Sequence, residues 1–102
     1  MIVWSVRIEF IEPRVVAGAA VTRGGAIEEL VEAARVAVLG APRAVRCTLV
    51  LDDVVVAVLA TAYDANGRVD LAWAVDYLKR VERTLEGPLG AKTVPRRGAY
   101  LT

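Results

Sequence analysis

The sequence predicts an α+β fold in which one antiparallel sheet carries two helices on one of its faces. Three observations lead to this prediction. Residues 2–11 alternate between apolar and polar side chains, which is typical of a half-buried strand. Residues 26–39 and 71–86 carry apolar side chains at helical spacing. Residues 43–51 and 54–63 are two apolar stretches on either side of a short acidic turn, which is the pattern of a hairpin.

The first strand directs its apolar side chains to one side, and Pro13 ends it because proline cannot donate a ladder hydrogen bond. The inward set is Ile2, Trp4, Val6, Ile8 and Phe10. Residues 15–22 fit either a second strand or a turn into the helix. Five residues recur at an offset of 39, ending with Thr22 and Thr61. With 15–22 as a strand, the chain would read strand–strand–helix twice.

The middle of the chain is a helix followed by the hairpin. Glutamates in the first turns of 26–39 favour the positive end of the helix dipole, and Gly40 ends the helix. Asp52 and Asp53 form the hairpin turn. The second arm, Val54 to Ala60, is apolar on both sides, which predicts a central strand covered on both faces.

The last helix spans 71–86, with Asp70 as its N-cap, and residues 91–94 are suited to a closing strand. The resulting order is strand, helix, strand, strand, helix, strand. That is the βαββαβ order of ferredoxin-like and RNA-recognition folds. We expect a single domain over 1–102, with 88–102 as a flexible basic tail.

Composition narrows the range of functions. The chain of 102 residues is 56% hydrophobic, carries a net charge of +1, and has no histidine and one cysteine. Near-zero charge argues against binding nucleic acid by bulk electrostatics alone. Eleven arginines against two lysines, one asparagine and no glutamine suit a thermophile, although a GC-rich genome would give the same bias. The N-terminal residues do not read as a signal peptide and no apolar run is long enough to span a bilayer, so we expect a cytoplasmic protein.

The candidate chemical groups favour structural roles. Ser5 and Cys47 have no histidine to activate them, and both lie on predicted strands. Asp52 and Asp53 have oxygen ligands that a divalent cation accepts, but adjacent aspartates are common in turns. Gly24 is followed by Gly25 and then by glutamates, which oppose an anion at that helix start. We therefore expect no catalytic residue, no metal site and no cofactor bound by the protein itself.

Two sets of residues are candidates for binding. The first is a partner interface. Aromatic side chains four residues apart on a helix are typical of protein contacts, and an apolar strand indicates a sheet face that a protein partner covers. It comprises Trp73, Tyr77, Val56 and Val58. The second is an RNA-binding set in the basic tail, where cations contact phosphates and one ring stacks. It comprises Lys92, Arg96, Arg97, Gly98 and Tyr100. The outward positions of the first strand hold no aromatic residue, which disfavours base stacking on the sheet.

From residue 26 onward the chain resembles protein component 2 of archaeal ribonuclease P. The resembling features are a helix ending at Leu39-Gly40, a hairpin with an apolar second strand, and a helix with an alanine-rich stripe. The family's Ser-Gly-Thr signature would fall within 93–99, where only Gly98 matches. The family's basic residue after the hairpin is replaced in the region of Ala62, and the segment 12–25 is longer than the family implies.

This resemblance implies an accessory subunit of an RNA-based endoribonuclease. The catalytic RNA would cleave the 5′ leader of precursor tRNA with its own Mg²⁺, and the protein would pair with component 3. Gly98 carries over from the family. An alternative resemblance is to the small dimerising subunit of the archaeal tRNA threonylcarbamoyladenosine (KEOPS) complex. It rests on Asp76-Tyr77-Leu78 and Thr84-Leu85-Glu86 of the last helix, and it implies a homodimeric interaction module.

Overall fold

A computed structural model describes residues 1–9 and 12–87. Within them lie six elements: β1 (Ile2–Glu9), β2 (Arg14–Ala20), α1 (Arg23–Gly40), β3 (Arg46–Leu51), β4 (Val54–Ala60) and α2 (Leu71–Glu86). The strands form one antiparallel sheet in the order β2-β1-β3-β4. Both helices pack on the same face of that sheet and against each other. The predicted α+β fold is thus confirmed, and its four strands and two helices are compatible with a ferredoxin-like arrangement.

The ambiguous segment 15–22 contains an edge strand. β2 pairs with β1 so that Gly18 lies opposite Trp4. A Cβ at position 18 would stand 2.5 Å from Cζ2 of the Trp4 ring, so only glycine leaves room for the indole. The described elements therefore read strand–strand–helix twice. The predicted closing strand at 91–94 lies outside the described residues.

The two halves of the chain repeat the order of their elements, but the matched residues do not all have the same role. Thr22 is the N-cap of α1, and its Oγ1 accepts a hydrogen bond from the Gly25 amide at 3.0 Å. Thr61 instead follows β4, where its buried Oγ1 accepts from the Val45 amide at 2.8 Å. Because the cap stands at 22, α1 begins earlier than the predicted residue 26. The two glycines lie in its first turn, and the Gly25 amide is already satisfied.

The β3–β4 hairpin turns at the predicted residues, but its second arm lies elsewhere in the sheet than the sequence predicts. Asp52 and Asp53 have φ values of 53° and 65°, which define a tight two-residue turn with both residues left-handed. Among the described strands β4 lies at the edge of the sheet and not at its centre, where the sequence places Val54–Ala60. Its outward side chains are exposed or half-buried, and no other described element covers them.

The second helix matches its predicted bounds. The Asp70 carboxylate accepts a hydrogen bond from the Trp73 amide at 3.2 Å and caps α2. Both helices and strands β1, β3 and β4 contribute buried side chains to one core, against which β2 packs Ala20. Each large apolar side chain in this core contributes roughly 1.5–3 kcal/mol by burial. Its largest fully buried members are Ile27, Leu30, Leu49, Leu51, Leu59, Leu78 and Leu85.

Candidate functional site

The two potential nucleophiles lie on opposite faces of the sheet. Ser5 is half-buried on the side of β1 away from the helices, and Cys47 is fully buried on the helix side of β3. Burial raises the pKa of the Cys47 thiol to about 11. At neutral pH the thiol is therefore protonated, and it is a poor nucleophile. The geometry gives neither residue a partner for catalysis within the described part of the chain.

Asp52 and Asp53 have a structural role that accounts for their presence. Their positive φ values suit short polar side chains, and the Asp52 amide donates to the Val3 carbonyl oxygen at 2.8 Å. This bond ties the turn to the neighbouring strand. Among residues 1–9 and 12–87, no three His, Cys, Asp or Glu side chains gather as metal ligands.

The sheet surface away from the helices, which we call the outer face, is largely apolar. Strand alternation and the pairing register place these side chains on it: Val3, Ser5, Arg7, Glu9, Val15, Ala17, Ala19, Arg46, Thr48, Val50, Val55, Val58 and Ala60. The charged members lie towards one end, where Arg7 pairs with Glu9 at 3.4 Å. The other end is uncharged and includes Val55, which is 50% exposed.

The predicted aromatic pair lies beside this face. The rings of Trp73 and Tyr77 stack with centroids 5.4 Å apart and planes inclined by 15°. The Tyr77 hydroxyl donates to the Val58 carbonyl oxygen at 3.3 Å, which fixes α2 against the edge of β4. Trp73 remains 47% exposed. The structure thus brings together three of the four predicted interface residues: Trp73, Tyr77 and Val58.

The fourth predicted residue, Val56, is not part of this surface. The register of β3 and β4 shifts between Leu49 and Val50, so β4 has one extra residue there. Val56 is that residue, and it is 3% exposed within the core. Its neighbour Val55 takes the outward position. Alternation alone could not reveal this, because a bulge changes which side chains point outward.

A second surface was not anticipated from the sequence. A groove of about 1040 Å³ runs between α1 and the β1–β2 hairpin; we call it the α1–β2 groove. At its base the indole Nε1 of Trp4 donates to the Glu29 carboxylate at 2.8 Å. Val16 and Val36 line it and stay exposed, Val36 by 60%. The available signal was Val36, an apolar residue outside the buried stripe of α1 and close to three glutamates.

The predicted RNA-binding residues Lys92, Arg96, Arg97, Gly98 and Tyr100 all lie outside the described residues. Within the described strands, the outer face contains no aromatic side chain on which a base could stack. Neither described helix is long and apolar enough to cross a membrane. When the chain is compared with known proteins, it matches no family model, no curated protein and no solved structure.

Proposed function

We propose that this chain is a non-catalytic interaction subunit that assembles as a homodimer, of the kind found in the tRNA-modifying KEOPS assembly. The observation that carries the proposal is that the Trp73–Tyr77 stack lies at the edge of β4, where the Tyr77 hydroxyl bonds the Val58 carbonyl oxygen, beside the apolar outer face of that strand. We call this surface the β4 patch and define it by Trp73, Tyr77, Val55 and Val58.

The chemistry of the β4 patch suits a second copy of the same chain. A two-fold interface sets identical patches against each other, so a charged patch would bring like charges together. The defining residues are all uncharged. Trp and Tyr are also over-represented among the residues that dominate binding energy, and Trp73 offers a half-exposed ring to a partner.

The oligomeric state tests the dimer directly. Light scattering on the purified full chain should give twice the monomer mass of 10.9 kDa. Val55→Arg and Trp73→Arg should each shift the mass to that of a monomer while circular dichroism stays unchanged. Val36→Arg is the matched control, because Val36 is even more exposed but lies on α1. A monomeric wild-type chain at all concentrations refutes the dimer.

Cellular role is a separate question, which depletion and purification answer. The tagged chain should retain its protein partners after nuclease treatment of the extract. Depletion in its own cells should lower threonylcarbamoyladenosine in tRNA and leave tRNA 5′ ends mature. Unchanged modification on depletion would remove the KEOPS-like role while leaving the dimer intact.

Ribonuclease P is the second candidate, and the sequence of 88–102 favours it. This segment carries three basic side chains and no acidic one. As an accessory subunit the protein would contact the catalytic RNA and precursor tRNA through Lys92, Arg96 and Arg97, next to a component 3 partner. Mg²⁺ would belong to the RNA. Depletion should then leave 5′-extended precursor tRNA, and co-purification should yield one structured RNA that nuclease removes. Mature 5′ ends after depletion would eliminate this candidate.

A further inference from the structure

The α1–β2 groove combines an apolar floor with an acidic rim. Its charged lining consists of four glutamates and one arginine: Glu12, Glu28, Glu29, Glu32 and Arg14. Glu32 also pairs with Arg35 on α1 at 3.0 Å, which leaves the other glutamates as the main source of negative charge. The chain as a whole has a net charge of +1, so this excess of negative charge is local. Such a groove favours an occupant that carries both cationic and apolar side chains.

One segment of this chain has that composition. Residues 88–102 contain Lys92, Arg96 and Arg97, together with apolar Val94 and Leu101 and the ring of Tyr100, and no carboxylate side chain. Charge and apolar character therefore complement the groove. We propose that residues 88–102 bind along the α1–β2 groove of the same chain. This inference does not rest on the homodimer or on its KEOPS-like role, whereas the ribonuclease P candidate would engage the same basic side chains with RNA.

The topology places the start of this segment within reach. α1 follows β2, and α2 follows β4; the strand pairing makes β2 and β4 run in opposite directions. The two helices are therefore antiparallel, and α2 ends at the end of the sheet where α1 begins. From Gly87 to Lys92, five residues span up to roughly 17 Å. That exceeds the 10–12 Å diameter of a helix, so Lys92 can pass the start of α1 and reach Glu28.

The remaining length also matches the groove. Glu28 and Gly40 both line it, and the helix between them is about 18 Å long. Residues 93–98 cover roughly 20 Å when extended, which places Arg96 and Arg97 alongside the C-terminal half of α1. Bound there, the segment would cover the exposed side chains of Val16 and Val36.

Carbodiimide cross-linking of the full chain tests this placement. The reagent joins a lysine amine to a carboxylate with loss of water, and Lys79 and Lys92 are the only lysines. We expect Lys92 linked to Glu28, Glu29 or Glu32 within one chain. A mixture of ¹⁴N- and ¹⁵N-labelled protein should give no mixed-isotope product. Mixed products would place the segment on a second copy and overturn the proposal, as would Lys92 linked only to other carboxylates.

A charge variant gives an independent readout. Trypsin should cleave after Lys92, Arg96 and Arg97 roughly fivefold faster in Glu12→Gln/Glu28→Gln than in the wild type, because two exposed ion pairs are lost. Glu82→Gln/Glu86→Gln removes the same charge from α2 and should leave the cleavage rate unchanged. High salt should raise the wild-type rate by screening. Equal rates in both double variants would overturn the proposal.

Discussion

The hydroxyl of Tyr77 donates a hydrogen bond to the carbonyl oxygen of Val58 at 3.3 Å, across the outer edge of the sheet. The Thr61 amide donates to Val45 on the β3 side, at 2.9 Å. The backbone N–H and C=O groups of successive strand residues point alternately to the two sides of the strand. Those of Val58 therefore point to the side of β4 away from β3. Tyr77 thus satisfies an edge carbonyl that another strand could otherwise bind.

Replacing Tyr77 with Phe should remove this bond and keep the ring. We expect the free energy of unfolding to fall by about 1 kcal/mol, the usual worth of one hydrogen bond in a partly buried setting. Urea unfolding at fixed protein concentration measures it. Tyr63→Phe is the matched control: the Tyr63 hydroxyl accepts a bond from the Ala44 amide at 3.3 Å, but its side chain is exposed and water can replace it. A larger effect at Tyr63 would contradict the edge role of Tyr77.

A second prediction concerns the contact between Gly18 and Trp4. Gly18→Ala sets a methyl group 2.5 Å from the indole and should destabilise the fold by roughly 1–3 kcal/mol through overpacking. Gly24→Ala is the control, because no atom lies within 4 Å of its added Cβ and the position is helical. It should stabilise the protein by roughly 0.5–1 kcal/mol. Thermal unfolding with Trp fluorescence compares them, and equal effects would show that Trp4 can move aside at no cost.

The hairpin turn provides a third prediction. Asp53 has a φ of 65°, which a side chain with a Cβ adopts at a cost of about 1 kcal/mol and glycine adopts freely. Asp53→Gly should therefore raise the midpoint of urea unfolding, and Asp53→Ala should lower it. If both variants behave alike, the conformation of the turn does not limit stability. Titrating Mg²⁺ into wild type and Asp53→Ala separates this role from ion binding, since a turn former gives no metal-dependent shift.

The sequence predicts best those elements whose own residues are sufficient to define them. α2 has both a capping aspartate and a regular apolar stripe, and its bounds of 71–86 match. The sequence of β2 is ambiguous because VVAGAA consists of small, mostly exposed residues, so neither the strand period nor the helix period dominates. Only the fit of Gly18 beneath the Trp4 ring explains the segment, and that contact joins residues far apart in sequence.

The candidate site shows the same division between local and long-range information. The spacing of Trp73 and Tyr77 indicated a shared helix face, which their stacked rings confirm. The apolar second arm of the hairpin predicts a central strand because a strand buried on both faces and an edge strand with an exposed apolar face have the same sequence pattern. Only the order of the strands in the sheet distinguishes the two cases. That order depends on which strands pair, which the sequence of one segment does not determine. The α1–β2 groove likewise exists only once β2 and α1 are placed together.

The last prediction follows from the burial of Cys47. Burial raises the pKa of its thiol from 9.0 to about 11 in the folded protein, whereas the unfolded chain keeps the ordinary value. Between these two values the unfolded state loses its proton first, so the unfolded state binds fewer protons and stability falls as pH rises. Burial likewise raises the pKa of the Tyr77 hydroxyl from 10.0 to about 12, which lowers stability in the same direction. Neither group should affect the free energy of unfolding below pH 9; Cys47 should lower it from pH 9 to about 11, and Tyr77 from pH 10 to about 12. In Cys47→Ala the decline over that interval should be shallower, even though the variant starts less stable; an identical slope in both proteins would show that the thiol does not contribute.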